Sequence, residues 1–312
     1  MLPITTPFRA SSNEEVDLEA LRSNLRKWNK TGMVGYVVLG STGEKVNLNE
    51  TEYLQVIDAA RAEVPAGPDG LAFIVGAGQQ STENTIREVS RAAGAGADAA
   101  LVITPHYYRS SITQQALIRH YVAVADASPV PIVLYSMPAL TGIKIEPATA
   151  AQLSEHSNII GIKDSSADLA EFRETLRLAG ESGAHDRGDF AVLTGNGTVL
   201  CDALSAGAHG AILAVGCVAP EVCLEIFRAF GRGDAERAAS LQEKLTPLAR
   251  AVTTTFGIGG LKAALDMIGY AGGKPRAPLQ PPDNGSREEI SQLLVEAQAM
   301  ISGLPSHQLV GK

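Results

Sequence analysis

The sequence predicts an α/β protein that folds as a (β/α)8 TIM barrel with additional C-terminal helices. Eight short, apolar, β-rich runs recur along the chain, separated by amphipathic stretches with Ser, Asn or Asp near their starts. For most of the chain the runs are spaced by about 28 to 36 residues, the length of one βα unit. An open doubly wound sheet is the competing fold, but it often carries a glycine-rich dinucleotide loop after its first strand, where this chain has TPFRA. The barrel is therefore favoured.

The predicted strands follow one another at regular intervals. They are LPITTPF (2–8), GYVVLG (35–40), AFIVGAG (72–78), AALVITP (99–105), PIVLYSMP (131–138), IIGIKD (159–164), FAVLTGNG (190–197) and GAILAV (210–215). The clearest helical patterns between them are DLEALRSNLRKWNK, NETEYLQVIDAARAEV, STENTIREVSRAAGAG and TQQALIRHYVAVAD. After the eighth strand the patterns are helical, apart from the Pro- and Gly-rich loop AGGKPRAPLQPPDNGS. We expect a barrel over residues 1–218, its eighth helix running to about 232, and a helical extension over 233–312 packed on the barrel.

Composition excludes several classes of function. The chain is 45% hydrophobic and 19% charged with a formal net charge of -8, so it has no basic excess to attract nucleic acid. Its three cysteines contain no CxxC pair, and its six histidines show no HExxH spacing, so neither a disulfide framework nor a metal site is predicted. The glycine-rich GAGQQST and AGAGADAA lack the spacing of phosphate-binding loops.

The chain also lacks signals for a membrane or an export pathway. It begins MLPITTPF, without a charged and apolar leader, and no segment has the apolar length of a membrane span. A cytoplasmic protein is expected, with a mitochondrial location as the alternative if a transit peptide has been removed.

Residues that can do chemistry follow the predicted strands, and in a barrel the carboxyl ends of all strands meet on one face. Lys163 ends strand six. Desolvation favours its neutral amine, which can attack a ketone and form an iminium. The alternative is a lysine that pairs with Asp164 or extends to solvent. Tyr135 stands at the matching level of strand five and could relay a proton, or it could be a rim aromatic with a hydrated hydroxyl.

The GSTGE loop after strand two offers a third element. Ser41 and Thr42 supply hydroxyls, and Gly43 lets the backbone turn so that N–H groups can face a carboxylate. Such loops more often serve only to turn the chain.

With these segments, and with YYR, YSMPALTG, GIKDSS and LTGNG, the chain resembles the superfamily of N-acetylneuraminate lyase and dihydrodipicolinate synthase, the class I Schiff-base aldolases. The resemblance runs from TPF to RAPLQ, nearly the whole chain, and the spacing of YSxP and GIKD is its specific part. It implies a (β/α)8 barrel, a homo-oligomer (tetramer or dimer), a pyruvate-containing oxo-acid substrate, and a covalent Schiff base with no metal or other cofactor.

The resemblance also implies roles for individual residues. Lys163 matches the Schiff-base lysine, Tyr135 the proton-relay tyrosine, and Ser41 with Thr42 the carboxylate-binding pair. Tyr107 matches the tyrosine that reaches a neighbouring subunit's site, although the adjacent Tyr108 competes for that role. Ser165 and Gly195 match positions that line the substrate pocket.

Departures from the pattern bear on the substrate. Leu140 stands where the dipicolinate synthases have an arginine for the second substrate's carboxylate. Gly197 and Thr198 stand where sialate lyases place an Asp and a Glu against sugar hydroxyls. Both substrates are therefore disfavoured.

Within the superfamily, HYYRSS, VLYSMPALTG, FGIGGLKAALDMIGYAGG and RAPLQ most resemble 4-hydroxy-2-oxoglutarate aldolases. The predicted reaction is cleavage of 4-hydroxy-2-oxoglutarate to pyruvate and glyoxylate. Alternatives are a 2-keto-3-deoxy-L-galactonate aldolase, a dihydrodipicolinate synthase-like condensation, a dehydratase using the same iminium, and a non-catalytic oxo-acid-binding protein.

Overall fold

The structure, a computed structural model, describes residues 1–10, 14–67, 69–181 and 190–300. Its strands are β1 (Leu2–Pro3), β2 (Gly35–Val38), β3 (Ala72–Ala77), β4 (Ala99–Ile103), β5 (Ile132–Ser136), β6 (Ile159–Asp164), β7 (Ala191–Thr194) and β8 (Gly210–Ala211). Its α-helices are α1 (Leu18–Trp28), α2 (Glu50–Arg61), α3 (Thr82–Gly94), α4 (Gln114–Ala127), α5 (Pro138–Thr141), α6 (Pro147–Ser154), α7 (Leu169–Glu181), α8 (Leu200–Ser205), α9 (Pro220–Gly231), α10 (Ala235–Arg250), α11 (Gly257–Met267) and α12 (Asn284–Ala299).

The strands lie in one sheet in the order of the chain, from β1 to β8, and the strand pairs described are parallel. Every residue of β2 and of β5 is buried. Burial on both faces explains why these strands read as continuous apolar runs and do not alternate with polar residues.

The two outermost strands are shorter than the sequence predicts. LPITTPF forms only two strand residues, Leu2–Pro3, although Ile4 N still donates to the carbonyl of Val37. Pro7, further along this run, has no N–H to donate. GAILAV forms only Gly210–Ala211, because the chain turns into a 3₁₀ helix at Ala214–Cys217.

Helix starts follow the polar residues that the sequence places there. The side chains of Asp17, Ser81 and Thr113 each accept a hydrogen bond from a backbone N–H in the first turn of α1, α3 and α4. At α2, Asn49 and Glu52 form a complete capping box. Each cap satisfies donors that the helix leaves open, so the local sequence alone determines where these helices begin.

The chain divides into two compact units. Unit one comprises Met1–Ala72, Gly197–Cys201 and Leu213–Lys312, and unit two comprises Phe73–Asn196 and Asp202–Ile212. The predicted boundary between a barrel ending near residue 218 and a C-terminal extension is a different division, and it stays a prediction.

Unit two has a core of strand and helix residues, including Val102, Leu134, Ile162, Phe172 and Val192. Its strands β6 and β7 pack closely at Gly161, where an added Cβ would lie 2.5 Å from the carbonyl oxygen of Ala191. The register of this strand pair therefore depends on a glycine.

Unit one carries the helices that the sequence predicts after the eighth strand, α9 to α12. The chain passes from α10 to α11 through a π-helical turn at Ala251–Thr255, and the segment between α11 and α12 holds no helix or strand. In the described part of the chain, we find no helix with the length and apolar character needed to cross a bilayer.

Candidate active site

Lys163 and Tyr135 lie side by side at the ends of β6 and β5. The two residues are direct register partners, so their side chains leave the sheet on the same face. Each side chain is only 4% exposed. The Lys163 Nζ lies 4.3 Å from the centroid of the Tyr135 ring. The amine is therefore held in a water-poor position against an aromatic face.

Asp164 does not neutralise this lysine. It follows Lys163 directly and so points to the opposite face of the strand. Its carboxylate accepts hydrogen bonds from Ser166 N (2.8 Å) and Ser166 Oγ (3.0 Å), and within the described residues no ion pair joins it to Lys163. Burial raises the pKa of Asp164, and the bonds from Ser166 oppose that shift.

Ser165 and Gly195 lie beside the lysine. Gly195 N donates to the carbonyl of Asp164 (2.6 Å), and Ser165 N donates to the carbonyl of Ser136 (3.0 Å). A Cβ added at Gly195 would collide with Ser165 Oγ and lie 2.7 Å from Lys163 Cε. Glycine at this position leaves room beside the amine, and the structure thus brings together four of the predicted site residues in unit two.

Tyr107 and Tyr108 are both at the surface of the chain, 75% and 69% exposed. Their rings meet edge to face with centroids 5.0 Å apart. The side-chain oxygen of Gln80 accepts hydrogen bonds from the backbone N–H groups of His106 and Tyr107, at 2.9 and 2.8 Å. Gln80 therefore fixes the backbone that carries Tyr107, a role that GAGQQST gives no sign of in sequence.

Leu140 is also exposed, at 60%, on the short helix α5. This helix ends at Gly142, whose φ of 67° is in the left-handed region. A Cβ added there would lie 3.1 Å from the Arg109 side chain, so Arg109 packs against the end of the helix that carries Leu140.

Ser41, Thr42 and Gly43 lie in unit one, in a tight turn after β2. Gly43 N donates to the carbonyl of Gly40 (3.0 Å), and Glu44 N donates to that of Ser41 (3.1 Å). The carbonyl of Gly43 accepts a hydrogen bond from Thr6 Oγ1 (2.7 Å), so a residue of the TPF segment supports the turn.

Gly197 and Thr198 are also in unit one, in the 3₁₀ turn Gly197–Val199. Gln242 Nε2 donates to the carbonyl of Gly197 (3.0 Å), and a Cβ at Gly197 would lie 2.8 Å from Val215. The two positions thus present a closely packed glycine and a threonine, and neither carries a carboxylate.

Glu44 belongs to a buried ion pair that the sequence did not indicate. Its buried carboxylate forms an ion pair with the fully buried Lys262 at 2.5 Å. Lys262 sits within the apolar GLKAALDM of α11, and a lysine in such a run is the only sequence signal that could have pointed to it.

In the part of the chain that the structure describes, no group of three or more His, Cys, Asp or Glu side chains is arranged to hold a metal ion. Cys201, Cys217 and Cys223, which all lie in the described residues, form no disulfide.

Comparison with known proteins places these features in a family context. The model of the dihydrodipicolinate synthetase family matches residues 1–297. A 4-hydroxy-tetrahydrodipicolinate synthase of Methanothrix thermoacetophila is 34% identical over 293 residues, which cover 94% of each chain.

Solved structures share the fold. A monomeric dihydrodipicolinate synthase variant superposes with a TM-score of 0.87 at 32% identity, covering 95% of both chains. YagE, a prophage protein of E. coli K12 solved in complex with pyruvate, gives a TM-score of 0.85 at 30% identity and covers 95% of this chain and 97% of its own. The predicted (β/α)8 barrel is confirmed by these neighbours.

Proposed function

This chain belongs to the dihydrodipicolinate synthetase family, whose enzymes use pyruvate Schiff-base chemistry, and on that premise we propose that Lys163 is the amine that binds pyruvate covalently. The observation that carries the proposal is the buried Lys163 against Tyr135, with Asp164 directed elsewhere. The protein is accordingly a carbon–carbon lyase or synthase.

In the proposed mechanism, the neutral amine of Lys163 adds to the C2 ketone of pyruvate and water leaves, which gives an iminium. Loss of a methyl proton gives an enamine, which attacks the carbonyl carbon of an aldehyde, and hydrolysis frees the product. Cleavage is the same sequence in reverse. Tyr135, register partner of Lys163, carries the proton to or from the aldehyde oxygen. Ser41 and Thr42 bind the carboxylate of pyruvate, and Ser165 and Gly195 line the pocket.

The second substrate is the finer question, and two observations point in different directions. The relatives found by sequence are named 4-hydroxy-tetrahydrodipicolinate synthase, which favours condensation of pyruvate with an aldehyde over the 4-hydroxy-2-oxoglutarate aldolase activity that the motifs predict. We propose this synthase-like condensation as the first candidate.

The second candidate is cleavage of 4-hydroxy-2-oxoglutarate to pyruvate and glyoxylate. Its support is the resemblance of VLYSMPALTG to the 4-hydroxy-2-oxoglutarate aldolases, and this segment has Leu140 in place of the arginine of the dipicolinate synthases, which weakens the case for the synthase reaction. The small polar turn at Gly197 and Thr198 supports a short substrate over a sugar acid.

We further propose that the chain acts in the cytoplasm as a homo-oligomer, a tetramer or dimer, in which Tyr107 or Tyr108 reaches the site of a neighbouring subunit. The support is that both phenols are exposed on the single chain. Sedimentation of the wild-type protein and of a Tyr107→Phe/Tyr108→Phe variant tests the assembly separately from the chemistry.

The proposed Schiff base is tested by borohydride reduction in the presence and absence of pyruvate, followed by peptide mass spectrometry. A reduced adduct of pyruvate on Lys163 is expected in the wild-type protein and none in Lys163→Ala or Lys163→Arg, because neither replacement can form the iminium. Circular dichroism of the variants controls for folding. Wild-type turnover in either folded variant would contradict the proposal.

The two candidate reactions are separated by product analysis. Wild-type enzyme is incubated with pyruvate and aspartate semialdehyde, and separately with 4-hydroxy-2-oxoglutarate. Condensation is measured as the loss of pyruvate, and cleavage is measured as the release of glyoxylate. A Leu140→Arg variant is expected to improve the condensation, since it supplies a cation for the carboxylate of the second substrate.

A further inference from the structure

The turn that carries Ser41 and Thr42 ends in an unusual residue, Glu44. Its φ of 54° lies in the left-handed region, which residues with a side chain seldom adopt. Its carboxylate turns inward and is buried. A strained backbone and a buried charge at one position need compensation from the residues around them.

The compensation comes from the C-terminal part of unit one. Lys262 Nζ of α11 lies 2.5 Å from one carboxylate oxygen of Glu44 and is fully buried. Arg276 donates its backbone N–H to the other oxygen (2.9 Å), and Asn47 Nδ2 donates to the same oxygen (3.3 Å). Both oxygens of Glu44 are therefore held.

The two cations, Lys262 and Arg276, are themselves held by further hydrogen bonds. The Arg276 guanidinium donates to both carboxylate oxygens of Glu52, at 2.7 and 2.8 Å, and to the backbone carbonyl of Asn47 (2.8 Å). Lys262 Nζ also donates to the carbonyl of Lys274 (3.1 Å). The network pairs Lys262 and Arg276 with Glu44 and Glu52, so its formal charges balance.

Phe8 completes the network. The centroid of its ring lies 4.3 Å from Lys262 Nζ and 4.4 Å from Arg276 Cζ, so both cations contact one aromatic ring. Phe8 follows Thr6, whose hydroxyl holds the carbonyl of Gly43 in the same turn. The turn is thus held both by its backbone and by its terminal side chain.

Stability alone gives a weak reason for this arrangement. Burial lowers the pKa of Lys262 and the nearby Glu44 opposes that shift, so Glu44 offsets part of the hydration that the charged lysine loses. Apolar residues of similar size often replace such pairs without loss of stability. A fixed conformation of the Ser41–Glu44 turn is what the ion pair provides and an apolar pair would not.

We infer that Glu44 is a positioning residue, and that Lys262 and Arg276 act through it to hold Ser41 and Thr42 in the geometry that binds the carboxylate of pyruvate. The inference rests on the proposed role of these two hydroxyl residues. It assigns to the C-terminal segment, remote in sequence from Lys163, control over pyruvate affinity without a part in the chemical step.

The experiment measures the pyruvate concentration that gives half-maximal borohydride trapping, and repeats it with methyl pyruvate, which keeps the ketone but has no charged carboxylate. The variant is Glu44→Gln/Lys262→Met, which removes both charges together and leaves no buried charge unpaired. We expect half-maximal trapping to need roughly ten-fold more pyruvate in the variant, since this factor corresponds to about 1.4 kcal/mol, close to the contribution of one hydrogen bond to a charged carboxylate. The concentration of methyl pyruvate that gives half-maximal trapping, and the fraction of protein trapped at saturation, should be the same in the variant as in the wild-type protein.

Two further variants guard the interpretation. Glu44→Asp keeps the charge but shortens the reach to Lys262, so it should show a smaller shift in the same direction if the double variant fails to fold. Glu225→Gln is the matched control, because Glu225 is another buried acid of unit one, paired with Arg232 away from this turn. It should leave both half-saturations unchanged.

The outcomes separate the inference from the proposed function. If the wild-type protein is trapped and the folded double variant needs the same pyruvate concentration for half-maximal trapping, the inference is overturned and the proposed function stands. An equal loss for pyruvate and methyl pyruvate would also overturn it, because that result indicates a general structural defect. Absence of any adduct in the wild-type protein would overturn the proposed function and this inference with it.

Discussion

Tyr135 is related to Lys163 in two ways that can be tested separately, a packing contact and a proposed proton transfer. Its ring face packs near the amine, and its hydroxyl is the proposed proton carrier. The ring contact needs only an aromatic residue, whereas proton transfer needs the phenol. A substitution that removes one oxygen atom therefore distinguishes packing from chemistry.

For Tyr135→Phe we expect kcat to fall on the order of 10²-fold or more, because the lost contact is a proton transfer in the transition state. The ring near Lys163 remains, so borohydride trapping of pyruvate should persist. Steady-state kinetics on the preferred substrate, beside the trapping assay, checks both expectations. An unchanged kcat would remove Tyr135 from the role of proton carrier.

Gly195 shows how a missing side chain shapes the same site. Any Cβ there would meet Ser165 and Lys163, so glycine at this position keeps space next to the amine proposed to bind pyruvate. LTGNG could be matched to the superfamily from sequence, but the contact that requires glycine is visible only when β6 and β7 are placed together.

At the scale of elements, β6 carries Lys163 and depends on its packing against β7. Gly161, two residues before the lysine on the same face of the strand, lets the strand approach the backbone of Ala191. The position of Lys163 on β6 is thus coupled to a backbone contact that involves no side chain.

Gly161→Ala should lower the free energy of unfolding by about 1–3 kcal/mol, because the added methyl group overpacks the strand pair. It should also slow adduct formation, since β6 must shift. Urea denaturation and the rate of trapping measure the two effects. Gly180→Ala in α7 is the matched control: an added Cβ there meets no atom of the described residues within 4 Å, and alanine favours a helix. Equal stability of the two variants would contradict the packing argument.

Most elements could be predicted from the sequence, since the apolar runs of β2 to β7 and the polar helix caps are local signals. The ends of β1 and β8 could not, because they depend on where the chain turns away from the sheet. The predicted level of Tyr135 beside Lys163 agrees with the strand register. The bond between Glu44 and Lys262 was beyond prediction, because it joins residues 218 positions apart (262 − 44) with no shared motif.

At the scale of the whole molecule, the βα period predicts the barrel but not the division into two compact units, which depends on contacts between distant segments. The second substrate is equally hard to read from sequence. Discrimination between similar substrates needs only about 1–3 kcal/mol, which a few pocket contacts supply. The family motifs therefore indicate pyruvate chemistry more securely than the partner of pyruvate.

The stability of the protein should depend on pH through His120. This buried residue of α4 shares a hydrogen bond with Thr82 Oγ1 through Nδ1 (2.9 Å), and within the described residues its Nε2 has no partner. Burial lowers its pKa from 6.5 to about 4. Between these values the unfolded chain binds the proton more readily than the folded chain, so stability is lost as the pH falls from 6.5 to 4.

The expected loss is up to about 3 kcal/mol, from 1.36 kcal/mol for each unit of pKa difference. Urea unfolding between pH 4 and 8 measures it. His120→Gln, which cannot titrate, should flatten the part of the pH dependence that lies between 6.5 and 4, whatever its effect on overall stability. Curves of the same steepness for both proteins would show that His120 is not the group responsible.

The make-up of the two units has a consequence for synthesis on the ribosome. Unit two ends at Ile212, so its residues have all been made while the later part of unit one is still untranslated. Apart from the short segment Gly197–Cys201, the partners of the first 72 residues within unit one lie from Leu213 onward, and reaching Leu213 takes on the order of ten seconds at typical translation rates. During that interval Glu44 has neither Lys262 nor Arg276. The nascent chain therefore contains β6, with Lys163, before Lys262 and Arg276 are available to hold the turn at Ser41 and Thr42.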